Sequence, residues 1–198
     1  MNEPRDAARG RRRIPCIVVK PRLAGLLSAA LTGAVVVAGI ASGARQSAAP
    51  CTARQLAGTF SAVRGSAGAG NISYVLRLRN VSRATCFVSG LPQVRLVGKT
   101  GRLLPSRVRP SHPGTTTAVR VVVAPKRYTA ATARFSPDVP GVGEQHPGAC
   151  EATAYRARVV PPPGGGTLVV PIVPPTPVCE KGTMSFSVFV AGPKGPIS

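Results

Sequence analysis

The sequence predicts an all-β fold, an antiparallel β-sandwich of immunoglobulin-like general architecture with about eight short strands, preceded by one apolar N-terminal helix. Three observations predict it. Apolar and polar residues alternate in short runs, and in the clearest run Ile72, Tyr74, Leu76 and Leu78 alternate with Ser73, Val75, Arg77 and Arg79. A period of two is the mark of a half-buried strand. Glycine (22) and proline (21) recur between these runs, as turn-rich connections require and long helices do not tolerate. Four cysteines follow the apolar helix, an even number that suits the disulfide framework of a small exported domain.

The N-terminal helix is read from charge and hydropathy. Residues 1–22 carry seven arginines and lysines, and residues 23–44 carry no charge at all. Twenty-two helical residues reach about 33 Å, enough for the hydrocarbon core of a bilayer. Ala41, Ser42, Gly43 and Ala44 close the segment with small residues. This is the pattern of an export signal cut after Ala44, or of a signal-anchor that stays in the membrane; both remain open. In either case the basic flank stays cytoplasmic and the rest of the chain lies outside. Ile14-Pro15-Cys16 after Arg11-Arg12-Arg13 does not continue a twin-arginine pattern, and Pro50 before Cys51 does not suit lipidation. Residues 45–50 read as a linker.

Beyond the linker, Thr52–Gln55 reads as one helical turn and Leu56–Val63 as the first strand. Ile72–Arg79 follows, with its arginines outward. Asn80–Arg83 has turn chemistry, and Thr85–Val88 returns as a short strand. Gly90 and Pro92 break the chain before the strand Gln93–Val97, and Lys99–Gly101 turns into Arg102–Leu104. Arg107–Thr115 reads as loop. Thr117–Val123 is a strand, and apolar Val122 on the face opposite Val119, Val121 and Val123 predicts cover on both sides. Pro125–Gly148 reads as a long irregular loop. Ala152–Val160, Thr167–Ile172 and Met184–Val190 complete the set, with Pro161–Gly166 as a break. Residues 192–198 read as a frayed tail. Aromatics make only 4% of the chain and tryptophan is absent, so the core is expected to be mainly Val, Leu, Ile and Ala.

Cys16 lies in the basic flank. Cys51, Cys86, Cys150 and Cys179 all follow the export segment, and four cysteines allow three connectivities. Sequential pairing, Cys51–Cys86 and Cys150–Cys179, is the expected one. Each bridge then closes a loop of about 30–35 residues and stabilises by roughly 3–4 kcal/mol on the chain-entropy model. A zinc site is disfavoured because no C-x-x-C pair occurs.

Several of these residues also carry a family resemblance. Cys51-Thr52-Ala53-Arg54-Gln55-Leu56 resembles the start of the DUF4232 domain, a family of exported actinobacterial proteins without assigned function. Leu76–Cys86 (LRLRNVSRATC) resembles its central motif of apolar strand, Asn-Ser turn and Thr-Cys. Ser89–Val94 (SGLPQV) resembles the Gly-x-Pro segment that follows. Ala124-Pro125 sits where the family often has a Pro-Gly turn, and Cys150 and Cys179 fall where its later cysteines fall. Leu91 stands in place of a common aromatic, and Gln93 and Lys126 stand in place of glycine. The resemblance covers roughly Cys51 to Val190. It implies an all-β exported domain at 51–191 with two disulfides, and it implies no activity.

Catalytic chemistry finds no constellation. No G-x-S-x-G elbow occurs. The acids beyond the export segment are Asp138, Glu144, Glu151 and Glu180, and the histidines are His112 and His146. An extracytoplasmic enzyme or metal binder using His112, His146 and nearby acids is one alternative; solvated loop histidines are the simpler reading. No catalytic residue, metal or cofactor is expected. The charge is the remaining handle. The chain has a formal net charge of +20, and from Arg45 onward nineteen basic residues face four acids. Arg77, Arg79 and Lys99 form the candidate anion-binding surface, because basic surfaces draw polyanions through long-range fields. A solvated, arginine-rich, codon-biased surface without a ligand is the simpler reading of the composition. Without aromatic interleaving a specific nucleic-acid reader is not expected. The expected protein is a non-enzymatic, exported cell-envelope module. Its partners would be the membrane, through an uncleaved helix, and anionic envelope polymers or an unidentified protein. A structural wall component is the further alternative.

Overall fold

The alternation of residues 72–80 folds as a nine-residue strand at the centre of the domain. The computed structural model describes residues 47–114, 118–144 and 150–196. The predicted flank 1–22 with Cys16, the apolar segment 23–44, the cut after Ala44, the strand start at Thr117, and Gln145 with His146 lie outside them. Among the described residues no helix is long and apolar enough to cross a membrane.

The described chain is nearly all β. In order, the strands are β1 (Ala49–Pro50), β2 (Leu56–Ala62), β3 (Ile72–Asn80), β4 (Cys86–Ser89), β5 (Gln93–Gly98) and β6 (Arg107–Pro110). They continue with β7 (Arg120–Val123), β8 (Tyr128–Phe135), β9 (Ala154–Val160), β10 (Leu168–Thr176), β11 (Thr183–Phe186) and β12 (Val190–Ala191). The predicted turn after Cys51 is a 3₁₀ turn at Ala53–Gln55, where the Thr52 N–H donates to Gln55 Oε1 at 2.9 Å. One short helical turn lies at Cys179–Gly182.

The strands form two sheets. The smaller runs β1-β4-β7, and the larger runs β5-β9-β10-β2-β3-β8-β11-β6, with β12 also on β8. Buried residues of both sheets share one hydrophobic core. The expected antiparallel sandwich is corrected here: β1 pairs β4, β10 pairs β2 and β11 pairs β6 in parallel, so both sheets are mixed. The larger sheet is partly barrel-like. Its end strands β5 and β6 are consecutive in the chain, and the connection between them folds back on β5. There Leu104 N–H donates to Leu96 O at 3.0 Å and Ser106 Oγ accepts from Leu96 N–H at 2.8 Å. That closure covers sheet edges that a flat sandwich would leave unpaired.

Two stretches read as loop are strands. β6 occupies part of Arg107–Thr115, and β8 lies inside Pro125–Gly148. β8 reads Tyr-Thr-Ala-Ala-Thr-Ala-Arg-Phe, and alanine is depleted in strands by intrinsic preference. Its setting overrides that preference. Ala131 and Ala133 face the core, while Ala130 and Thr132 on the other face are buried too. The C-terminal segment covers that second face, and a Cβ on Gly195 would stand 2.2 Å from Thr132 Oγ1. Small side chains are therefore what β8 can accommodate on both sides. The described part of the segment read as a tail, 192–196, makes contacts with the larger sheet. Arg77 Nε donates to Pro193 O at 2.8 Å, and Gly195 is buried. Val122 departs in the opposite sense. It is 56% exposed, so β7 is covered on one face only.

The core is mainly aliphatic, with an aromatic nucleus drawn from four strands. Phe60, Tyr74, Phe135 and Phe186 lie at centroid distances of 5.2–6.5 Å where they meet. The Tyr74 hydroxyl donates to Pro174 O at 2.9 Å, which gives its polar tip a partner. Cys51–Cys86 and Cys150–Cys179 are both bonded, in the sequential pairing, with Cα separations of 4.8 and 5.4 Å. The first ties the entry of the domain to the small sheet. Residues 45–198 form a compact unit that contains the core and both disulfides.

Asn80 ends β3 fully buried. Its Nδ2 donates to Ala84 O at 2.8 Å and Val123 O at 2.9 Å, and its Oδ1 accepts from the Ser82 N–H and hydroxyl. One amide thus closes the β3–β4 turn and fastens β3 to β7. Asn80→Ala removes these bonds and leaves the Val123 carbonyl buried without its donor. We expect a loss of about 2–4 kcal/mol, read as a lower urea midpoint. The Cys51→Ala/Cys86→Ala pair should lose about 3–4 kcal/mol in the same measurement.

Candidate functional site

The ladder registers decide where the arginines point. On β3, Tyr74, Leu76 and Leu78 are buried, so Arg77 and Arg79 lie on the outer face of the larger sheet. On β9, Ala157 and Val159 are buried, and Arg156 and Arg158 share the same outer face. Arg158 pairs directly with Arg95 of β5 on one side and with Val169 of β10 on the other. Arg156 pairs with Val97 and Pro171. Arg134 of β8 lies opposite Ser73 and Ser185, and Ser185 is opposite Arg109 of β6. Arg79, Arg95, Arg134, Arg156 and Arg158 are all exposed. None of the four acids beyond residue 45 occurs in β2, β3, β5, β8, β9 or β10.

Strands lie about 4.8 Å apart, so the ladder sets Arg95 and Arg158, two like charges, directly opposite each other. Such directly opposed charges destabilise a sheet. No carboxylate on these strands offsets them, and a bound anion would.

The three residues singled out from the sequence reach this face in different ways. Arg79 is exposed, with its guanidinium 5.8 Å from the Tyr128 ring centroid. Arg77 is half-buried and structurally engaged, donating to Ser61 Oγ at 2.7 Å as well as to Pro193 O. Lys99 is exposed in the turn after β5, and its carbonyl accepts a bond from Arg156 Nη2 at 3.1 Å. Sequence reasoning left out Arg134, Arg156 and Arg158. The signal for the last two was present: Arg156-Ala157-Arg158-Val159 alternates with its small and apolar residues inward.

A cleft of about 430 Å³ lies beside β6, between Arg107 and Arg109 on one wall and Glu144 and Lys181 on the other. Glu180 and Lys181 have left-handed backbones, with φ of 54° and 56°. Their N–H groups converge, and successive N–H groups of that kind make an anion cradle. Glu144 already fills it. Its Oε2 accepts from Gly141 at 2.6 Å and from Glu180 at 2.7 Å, and its Oε1 accepts from the Lys181 N–H. Desolvation pushes the Glu144 carboxyl up, but the three N–H donors and the Lys181 charge outweigh it and hold the pKa below the ordinary value. Burial first, and then the Glu144 charge, pushes Glu151 up. The cradle therefore serves to fasten the 141–144 loop to the turn that carries Cys179.

His112 is exposed, and its Nδ1 lies 3.0 Å from Ser111 Oγ. Among the described residues no three His, Cys, Asp or Glu side chains come together as a metal site would require.

A family model described as a domain of unknown function, DUF4232, matches residues 51–189. No curated protein and no solved structure matches the chain.

Two outcomes follow from this geometry. Glu144 has a lowered folded pKa, so its contribution is present above the unfolded carboxylate value of about 4.3. That contribution is lost as pH falls through the lower folded value. Acidification from about pH 5.5 to 3.5 should therefore lower the urea midpoint of the native chain more than that of Glu144→Gln; equal losses would contradict the cradle. Arg158→Glu turns a like-charge pair into an opposite one and should raise stability by a few tenths of a kcal/mol at low salt.

Proposed function

The chain belongs to the DUF4232 family, and on that footing we propose that it is a non-enzymatic, exported module of the cell envelope that holds an anionic component of the envelope on its outer sheet face. The observation that carries this reading is the run of arginines on neighbouring strands with no acid among them. Arg95 and Arg158 face each other across a ladder at a stability cost. A surface that retains such a pair gains from an anion bound between its guanidinium groups, which suit bidentate contact with phosphate or carboxylate.

Two further features support the location. Both disulfides require an oxidising compartment to form and persist. The apolar segment 23–44 behind a basic flank is an export signal or anchor by pattern.

The test is binding of the oxidised unit Arg45–Ser198 to isolated envelope fractions at two salt concentrations. Four phosphate contacts predict a loss on the order of fiftyfold between 50 and 200 mM salt, using the slope for single-strand polyanions. Arg95→Gln/Arg158→Gln should remove most of the low-salt binding. Absent or salt-insensitive binding would remove the anionic reading.

A further inference from the structure

The basic face is not uniformly basic. β10 runs through it as an apolar rail. Val169 and Val173 point outward at 57% and 52% exposure, and Pro171 between them is exposed. Arg158 is the ladder partner of Val169, and Arg156 that of Pro171. On the other side of β10 lies β2, whose outward residues Ala57, Thr59 and Ser61 are small. Beyond β2 stand Arg77 and Arg79, and Tyr128 next to Arg79 is 40% exposed. An exposed apolar strand thus lies between two banks of arginine, about 14 Å apart at ordinary strand spacing.

A hydrated polyanion uses the arginines and gains nothing from exposed valines. A bilayer surface uses both. Headgroup phosphates meet the guanidinium groups, and the acyl boundary accepts the side chains between them. Arginine suits that geometry because its stem lies on apolar surface while its head reaches outward. We propose that the face formed by β5, β9, β10, β2 and β3 docks on an anionic phospholipid bilayer, with Val169, Pro171 and Val173 at the acyl boundary and Arg95, Arg156, Arg158 and Arg79 on headgroup phosphates. This rests on the reading of the basic face as the working surface and names its partner. Each arginine near an anionic leaflet contributes roughly fivefold to partitioning.

The unit Arg45–Ser198 is mixed with vesicles of phosphatidylglycerol and phosphatidylcholine in equal parts, with pure phosphatidylcholine vesicles, and with linear polyphosphate as a soluble polyanion. Co-sedimentation with the mixed vesicles and little with the neutral ones is expected. Val169→Thr/Val173→Thr keeps side-chain shape and β-branching, and should weaken vesicle binding about tenfold while leaving polyphosphate binding unchanged. The chain has no tryptophan, so Val169→Trp adds a sole indole, whose emission should move to the blue on the mixed vesicles. Absent vesicle binding, vesicle binding indifferent to the threonine pair, or an unmoved indole overturns the lipid assignment. If polyphosphate binding persists in that case, the basic-face reading stands. If it is lost as well, both fall.

Discussion

A slip of one residue in β3 against β2 and β8 would bury Arg77 and Arg79 and expose Tyr74, Leu76 and Leu78. Strand periodicity makes this an all-or-nothing choice. The aromatic nucleus depends on the correct register, because Tyr74 must meet Phe60 and Phe135. The outer face depends on it equally, because the arginines point away from that nucleus. Asn80 pins the register at the end of the strand. Its side chain reaches β7, its N–H donates to Arg127 O at 3.0 Å, and its carbonyl accepts from Lys126 N–H at 2.8 Å.

The outer face is divided by the chain's own C-terminal segment. Residues 193–196 cover the part over β8, where Ala130 and Thr132 are buried and Arg77 is drawn into hydrogen bonds. The part over β5, β9 and β10 stays open, and it carries the arginines that no described tail residue engages. Stability and function pull apart here. Cross-strand arginines weaken the ladder they sit on, while the core beneath them, with Ala157, Val159 and Val170 fully buried, carries the fold. Few acids are present to compensate, and the best-held of them, Glu144, is committed to the N–H group of Gly141 in its own loop and to those of Glu180 and Lys181 at the Cys179 turn. The local pattern is an anion fixed by backbone N–H groups at one cleft and cations left open on the sheet.

The two disulfides close consecutive halves of the chain rather than linking them. Cys51–Cys86 joins the entry strand to β4, and Cys150–Cys179 joins the approach to β9 with the exit from β10. Cooperation between halves falls instead to the sheet, where β10 from the second half pairs in parallel with β2 from the first. A parallel pair needs a long crossover, and the chain between β2 and β10 supplies one. Neither hairpin periodicity nor turn chemistry reports such a pairing.

The sequence by itself determined the β class, most strand positions and the outward direction of Arg77 and Arg79, and it left three disulfide connectivities open. What it determined follows from local information: alternation, and turn residues at Asn80-Val81-Ser82 and Lys99–Gly101, whereas the fold is what brings Cys51 to Cys86 and Cys150 to Cys179. Only the tertiary structure decided the rest. β8 is a strand because both its faces are covered, and no alanine-rich run announces that. The sheets are mixed because β1, β6 and β10 find partners distant in sequence. Arg95 and Arg158, 63 positions apart in the chain, become neighbours because β5 and β9 meet at one ladder. Propensity and period act over a few residues, whereas which strand lies beside which is fixed by burying one shared core, and the arginine face is a product of that adjacency.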